Sequence, residues 1–322
     1  MADVPEGTTA GFPEHHVRTG SEEIESPPNL REQDWHVLLK AIELGKCTPF
    51  LGSGACYGFI PLGTQIAREW ASAHGYPLED PQDLARVAQF IATEFHSVFP
   101  KEEVSQRLKS LSPPDFRESN EPHSVLADLP LKVYMTTNYD DFMVQALRSR
   151  DRDPKREICR WNRMLQRQKT VFSSGYEPTV ANPVVFHLHG CAEIAEPIVL
   201  TEDDYLDFLV NLTRYKAIPS RIERALAGAS LLFLGYKLAD WDFRVLFHSL
   251  VTYMERSLQR SHISVQLVPL DEQATAAQKG RAQQYLDRYF ARLSIRVYWG
   301  TCRQFAAELR ARWKAHTHVG DA

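Results

Sequence analysis

The chain has 322 residues, of which 43% are hydrophobic and 24% charged, and its net charge is -4. These values are typical of a folded globular protein, and they give no general attraction to nucleic acid or to an anionic membrane. The five cysteines include no C-x-x-C pair, so we expect neither a four-cysteine zinc site nor a disulfide framework. This cysteine usage predicts a protein of the reducing cytoplasm. We expect no signal peptide, no membrane span and no direct membrane contact, because no suitable apolar run is present.

The first 30 residues are rich in Pro, Gly, Glu, Ser and Thr, which predicts a disordered tail. A helix follows, from Asp34 as its N-cap to Gly45. We expect one domain over residues 31–316, with helical insertions at about 80–125 and 145–180, and a second tail at 317–322. No second domain is expected.

Apolar runs of strand length alternate with helical patterns along this domain. Such alternation predicts an α/β fold with a doubly wound, mostly parallel, Rossmann-like sheet. Ligands of open α/β sheets bind beyond the carboxyl ends of the strands. The residues that end each run are therefore the candidates for a ligand site. The predicted strands are 48–51, 133–137, 184–188, 230–234, 263–269 and 294–299.

The first strand runs directly into Gly52-Ser53-Gly54. A tight glycine turn at this point lets backbone N–H groups approach a diphosphate. The full G-x-G-x-x-G pattern is absent, because the next glycine is Gly58. A plain turn at the end of a strand is therefore an equal alternative.

Polar residues follow the second strand, in the order Thr137, Asn138, Tyr139, Asp140 and Asp141. The amide of Asn138 both donates and accepts hydrogen bonds, which suits a ribose hydroxyl or a water. One of the two aspartates is expected to cap the following helix.

The third strand contains His187 and ends at His189-Gly190. Strand alternation predicts that both histidines lie on the same face of the sheet. A histidine with a pKa near neutrality is the usual general base, and His189 is the better placed of the two. His187 is expected to be a core residue, and a metal site at this pair lacks a third ligand nearby.

The fourth strand ends at Gly235-Tyr236, where glycine permits close approach of a cofactor. Asp240 is expected to be the N-cap of the next helix.

These four motifs, in this order, resemble the sirtuin superfamily, and in particular its branch in prokaryotic defence systems. The resemblance runs from about Cys47 to about Phe247. The turn from Gly52 to Cys56 resembles the sirtuin Gly-Ala-Gly-x-Ser loop, and Pro61 resembles the proline of the family's cofactor loop. The motif from Asn138 to Asp140 resembles Asn-Ile-Asp, and His189-Gly190 resembles the catalytic His-Gly. The segment 201–205 resembles one typical of the defence branch.

The resemblance implies that NAD is the substrate and that no metal is needed. It assigns catalysis to Asn138 and His189, and contact with NAD to a second set. That set is Gly52, Ser53, Gly54, Cys56, Pro61, Thr137, Asp140, Gly235 and Tyr236. The zinc module of protein deacetylases is absent, since only Cys191 lies in that region. The family's Asp-Phe-Arg does not follow the loop proline, Pro61.

The resemblance therefore implies an NAD hydrolase that depletes NAD during phage infection. An NAD-dependent deacylase is one alternative, and a non-catalytic module that senses NAD or ADP-ribose is another. A dehydrogenase is disfavoured by the broken glycine pattern.

By analogy with the family, we expect control by homo-oligomerisation or by a separate protein, such as a DNA-translocating ATPase or an Argonaute-like protein. Nucleic acid is expected to act only through such a partner. The stretch 148–169 holds nine Lys or Arg against three acids, and it predicts a solvated surface, with an oligomer or nucleic-acid contact as the alternative.

Overall fold

The computed structural model describes residues 30–236, 247, 261–267 and 274–319. The predictions for residues 1–29, Asp240 and residues 268–269 lie outside this part of the chain. The strands within it are β1 (Cys47–Leu51), β2 (Val133–Thr136), β3 (Lys155–Ile158), β4 (Val184–His187), β5 (Ser230–Leu234), β6 (His262–Gln266) and β7 (Ile295–Trp299). They form one sheet in the order β3-β4-β2-β1-β5-β6-β7. Every pairing between neighbours is parallel.

Helices separate most of the strands. Those among the described residues are α1 (Glu32–Glu43), α2 (Gly63–His74), α3 (Leu84–Glu94), α4 (Phe99–Lys109), α5 (Pro122–Ala127), α6 (Phe142–Arg148), α7 (Arg163–Gln166), α8 (Glu202–Arg214), α9 (Ser220–Ala227), α10 (Ala276–Ala291) and α11 (Cys302–Val319). Within the described ranges, no helix is both long enough and apolar enough to cross a bilayer.

The sheet is covered on both faces. Alternate strand residues enter two different apolar clusters, because successive side chains of a strand point to opposite faces. Phe50, Met135 and Phe233 belong to one cluster, whereas Leu51 and Leu234 belong to the other. A parallel sheet buried on both faces confirms the predicted doubly wound α/β fold.

Three details differ from the sequence prediction. The insertion expected to be helical at 145–180 contains the edge strand β3, whose short polar sequence gives no apolar run. Residues 317–319 continue α11 instead of forming a tail. Helix α1 begins at Glu32, and Asp34 lies inside it, where its carboxylate accepts a hydrogen bond from the backbone of Arg31.

Much of the basic stretch 148–169 is engaged within the chain. Arg152 donates to the backbone oxygens of Ala127 and Leu129 at 3.0 and 3.1 Å. Arg150 pairs with Asp128 at 2.6 Å. These guanidinium groups therefore satisfy carbonyls and a carboxylate of the same fold, and they are not free to form a basic patch.

The strand order explains where a ligand would bind. From β1 the chain moves to β2 on one side, and after β4 it returns to β5 on the other side of β1. Such a reversal opens a crevice beyond the carboxyl ends of β1 and β5.

A third apolar cluster, built by α2, α3 and α4, includes Ile198 and Leu200 from the chain after β4. The part-buried pair of Lys101 and Asp204, at 2.6 Å, joins this helical layer to α8.

Candidate active site at the strand ends

The turns after β1 and β5 are in direct contact. The N–H of Gly52 donates to the carbonyl of Leu234 at 2.8 Å, and the N–H of Gly54 donates to that of Gly235 at 2.9 Å. Gly235 has a φ of +79°, and a Cβ there would lie 2.2 Å from the nitrogen of Ala55. Only glycine permits this approach and this backbone conformation.

These contacts change the interpretation of the glycine motif. The N–H groups of Gly52 and Gly54 already have acceptors, so they do not point at a diphosphate in this structure. Ser53 is exposed at the start of a short 3₁₀ helix, and Pro61 is half-buried just before α2. Contact of this loop with a diphosphate stays a prediction, and Ser53 is its most accessible part.

The amide of Asn138 bridges from the end of β2 to the turn after β1. Its Nδ2 lies 3.1 Å from the carbonyl oxygen of Gly52 and 3.2 Å from the sulfur of Cys56. The backbone N–H of Asn138 donates to the hydroxyl of Thr136 at 2.9 Å. Asn138 is thus held between two of the predicted cofactor-binding residues.

Two other predicted residues also meet. The hydroxyl of Thr137 donates to the hydroxyl of Tyr236 at 3.1 Å, and Tyr236 donates to the carbonyl of Leu51 at 3.0 Å. The ends of β1, β2 and β5 are therefore joined by side-chain hydrogen bonds at one place.

Asp141 occupies the N-cap position of α6 without a side-chain cap bond, and the carboxylate of the preceding Asp140 takes that role. One carboxylate oxygen accepts from the N–H of Phe142 at 2.9 Å, and the other accepts from the thiol of Cys56 at 3.3 Å. Asp141 instead pairs with Arg156 at 2.8 Å. Burial raises the pKa of Asp141, against the opposing charge of Arg156.

The two histidines near the end of β4 lie in different surroundings. The ring of His187 lines a recess together with Met143 and Val185, on the side of the cluster that contains them. The ring of His189 contacts Phe208, in the other cluster, at a centroid distance of 4.8 Å. The prediction that both lie on one face is wrong, because β4 ends at His187 and strand alternation does not extend to His189.

Both rings are buried, and both are neutral at physiological pH. Burial and the charge of Arg156 lower the pKa of His187 to about 4. Burial lowers the pKa of His189 to about 3. The expectation of a near-neutral pKa for His189 is therefore not met in this structure. A neutral ring can still accept a proton or a hydrogen bond.

Asn138 and His189 each follow the end of one of two paired strands by two residues. Thr136 pairs with His187 in the register of β2 and β4, and the N–H of Leu188 donates to the carbonyl of Thr136 at 2.8 Å. The two segments stay hydrogen-bonded past the strands with the register shifted by one residue, since the N–H of Ala192 donates to the carbonyl of Tyr139 at 2.7 Å. Neighbouring strands lie about 4.8 Å apart, so the two residues leave the sheet from adjacent strand ends.

Sequence reasoning missed two residues of this region, Glu121 and His123, at the start of α5. The Nδ1 of His123 lies 2.7 Å from Glu121, and its Nε2 lies 3.8 Å from the sulfur of Cys56. The sequence Glu121-Pro122 could have predicted the start of a helix. Nothing local indicates the contact with Cys56, which is 67 residues away from His123.

Glu121 and His123 form a buried charge pair. Burial opposes ionisation of both groups, but their mutual hydrogen bond and attraction outweigh it. The pKa of Glu121 is lowered and that of His123 is raised. Burial, followed by the charge of Asp140, raises the pKa of the Cys56 thiol well above its usual value. Cys56 is therefore a neutral thiol in this arrangement.

A group able to hold a cation is also present among the described residues. It consists of Cys56, His123 and Asp140, whose donor atoms all lie within 4.8 Å of one another. The sequence expectation that no metal is needed did not anticipate this group.

Comparison with known proteins gives one family and several relatives. The model of the SIR2-like domain matches residues 132–296. The chain is 22% identical over 287 residues to the NAD(+) hydrolase ThsA of Acinetobacter baumannii (strain 532279), which covers 86% of the chain and 55% of the relative. It is 27% identical to the protein of the same name from Cytobacillus dafuensis, over 65% of the chain and 38% of the relative. It is 25% identical to the protein of the same name from Enterococcus faecium, over 72% of the chain and 46% of the relative. The chain thus spans about half the length of these relatives, or less.

Proposed function

Because the chain belongs to the SIR2-like domain family, we propose that it cleaves the N-glycosidic bond of NAD and releases nicotinamide and ADP-ribose. The observation that carries the proposal is the position of Asn138 and His189, each two residues beyond the end of one of two adjacent parallel strands, β2 and β4. The names of the ThsA relatives, which describe NAD(+) hydrolases, support it.

The chemistry needs few groups. Nicotinamide leaves a cationic bond as a neutral molecule, so its departure requires no general acid, unlike the leaving group of an ordinary glycoside. The site must hold the ribose, stabilise an oxocarbenium-like transition state and direct a water to the anomeric carbon. These tasks require hydrogen-bonding groups in fixed positions.

Each task has a candidate group. Asn138 holds the ribose and the water, because its amide is fixed by Gly52 and Cys56 but keeps its oxygen as an acceptor. His189 acts as the base toward a ribose hydroxyl or the water. Asp140 binds the carboxamide of nicotinamide, next to Cys56.

The remaining predicted residues form the walls of the site. Ser53 contacts the diphosphate, and Gly52 and Gly54, whose N–H groups are bonded to Leu234 and Gly235, shape the turn that presents it. Pro61 lies at the end of the same loop. Gly235 lets the turns approach each other, and the hydrogen-bonded pair of Thr137 and Tyr236 holds the ends of β2 and β5 in place.

Product analysis tests this function. The purified protein is incubated with NAD, and nicotinamide, ADP-ribose and cyclic products are separated by chromatography and mass spectrometry. Hydrolysis predicts free ADP-ribose without any other substrate, whereas a deacylase forms an acyl ester of ADP-ribose only when an acylated substrate is added. Binding of NAD without nicotinamide release would contradict the proposal and favour a sensing module.

We also propose a role in antiphage defence, in the cytoplasm, with activity restrained by homo-oligomerisation or by a separate protein. The support is the resemblance to the defence branch alone. Nicotinamide release by the purified chain, with and without the product of a neighbouring gene, tests this. Equal rates under both conditions, at all protein concentrations, would contradict it.

A further inference from the structure

A compact group of donor atoms lies beside Asn138, behind the turn after β1. The sulfur of Cys56 is 3.3 Å from Oδ2 of Asp140 and 3.8 Å from Nε2 of His123. Cys56 and His123 are each 1% exposed. Three different elements supply these atoms: the turn after β1, helix α5 and the segment after β2.

The donor set matches the preference of zinc. Thiolate, imidazole and carboxylate are its ordinary protein ligands, with bonds of about 2.0–2.3 Å in a tetrahedral arrangement. Two such ligands are then about 3.5 Å apart. The separations of 3.3 and 3.8 Å from the sulfur lie on either side of that value.

The histidine is also oriented as a metal ligand would be. Its Nδ1 lies 2.7 Å from Oε1 of Glu121, which is fully buried. Histidines that bind metals through one nitrogen usually donate the other N–H to a carboxylate, which fixes the direction of the ring. Here Glu121 turns Nε2 of His123 toward Cys56.

A separate observation comes from the recess next to this group. His123 and Asp140 line the recess together with His187. Nε2 of His187 is buried, and it has no hydrogen-bond partner among the described residues. Such a nitrogen is costly to leave unpaired, so the recess beside this group lacks a polar partner in this structure.

We propose that Cys56, His123 and Asp140 bind a divalent cation of the zinc class, and that its occupancy blocks the cleavage of NAD. On binding, the ion replaces the thiol proton of Cys56, which passes to solvent. The ion would engage Asp140, which otherwise binds the carboxamide, and it would hold the sulfur that contacts Asn138 at 3.2 Å. The inhibitory half of the proposal rests on the proposed function, whereas the metal site does not.

Metal content tests the site without any activity measurement. The full chain is stripped with a chelator, supplied with one equivalent of zinc and desalted, and its zinc is measured by elemental analysis. We expect about one ion per chain in the wild type. Glu121→Gln, which keeps the three ligands, should weaken zinc binding about 10–100-fold. Cys56→Ser and His123→Gln should weaken it further.

The matched control is Cys47→Ser. Cys47 is as buried as Cys56 but begins β1, at the opposite end of the strand. This variant should retain zinc, and it should keep the thiolate-to-metal absorption band when cobalt replaces zinc, whereas Cys56→Ser should lose the band. Thermal unfolding of every variant separates loss of the site from loss of the fold. The metal site is overturned if the wild type retains no zinc, or if folded Cys56→Ser and Cys47→Ser retain it equally.

Nicotinamide release by the stripped and zinc-loaded protein tests the inhibition. We expect zinc to suppress release by the wild type and to have at least about tenfold less effect on His123→Gln. Equal rates for stripped and loaded wild type would overturn the inhibition. If neither form releases nicotinamide, the proposed function fails, while the zinc content still decides the metal site.

Discussion

The side-chain amide of Asn138 lies 3.2 Å from the thiol of Cys56, which joins the end of β2 to the turn after β1. The two residues are 82 positions apart in sequence. Their contact orients the amide that we assign to the ribose of NAD. It also connects the proposed catalytic residues with the buried group of Glu121 and His123.

Replacing Asn138 tests the catalytic assignment. We expect Asn138→Ala to lower the rate of nicotinamide release by about 10²–10⁴-fold, as for the loss of other positioned catalytic groups. The fold should remain, since the residue is only half-buried. Chromatographic assay of nicotinamide measures the rate. Asn120→Ala, outside the site, is the control, and a folded Asn138→Ala protein with the wild-type rate would remove Asn138 from the mechanism.

His189 is expected to be equally important for the reaction. His189→Ala should reduce nicotinamide release by about 10²–10⁴-fold, because it removes the proposed base. His36→Ala, on the exposed face of α1, is the matched control and should keep the wild-type rate. Because the ring of His189 packs on Phe208, melting curves must accompany the assay. Full turnover by the folded variant would disprove the assignment.

The contact between the glycine turns predicts a large effect on stability. Gly235→Ala should destabilise the protein by about 2–4 kcal/mol, since a Cβ would lie 2.2 Å from the nitrogen of Ala55 at a positive φ. Gly280→Ala is the control, because Gly280 lies inside α10 and its Cβ would meet nothing within 4 Å. That change should stabilise by about 0.5–1 kcal/mol. Urea unfolding measures both, and similar results for the two variants would contradict the role of Gly235.

The buried histidines predict a loss of stability in acid. The folded pKa values of His187 and His189, about 4 and 3, lie below the unfolded value, so the unfolded state binds protons first as the pH falls. Each therefore contributes stability that is present above about pH 6.5 and is lost progressively below it. At pH 5 this loss is about 2 kcal/mol for each.

His123 has the opposite effect on the pH dependence of folding stability. Its pKa is raised, so its stabilisation is complete below the unfolded pKa and is lost as the pH rises through the folded value. His123 therefore offsets only part of the loss from the two buried rings, and stability should still fall between pH 7 and pH 5. Urea unfolding at both pH values measures it. In His189→Gln, the share of this loss that His189 contributes, about 2 kcal/mol, should disappear. An unchanged pH dependence in that variant would show that His189 is not buried as a neutral ring.

Local patterns were sufficient to predict most of the sheet. Six of the seven strands coincide with apolar runs, because a strand buried on both faces needs nearly continuous apolar residues. The exception, β3, lies at the edge of the sheet, where partial exposure allows its Lys-Arg-Glu-Ile sequence. The same patterns indicated which polar residues end the strands, and Asn138 and His189 were found in this way.

The sequence alone therefore determined the fold class and the polar residues at the carboxyl ends of the strands, because burial and backbone conformation leave a local pattern. Only the tertiary structure decided which of these residues meet. The crossover after β4 places β5 beside β1, and this explains why Gly235 must be glycine. The tertiary structure also brings His123 to Cys56 and turns His189 away from His187. Contacts between distant segments depend on strand order and register, which no local pattern encodes.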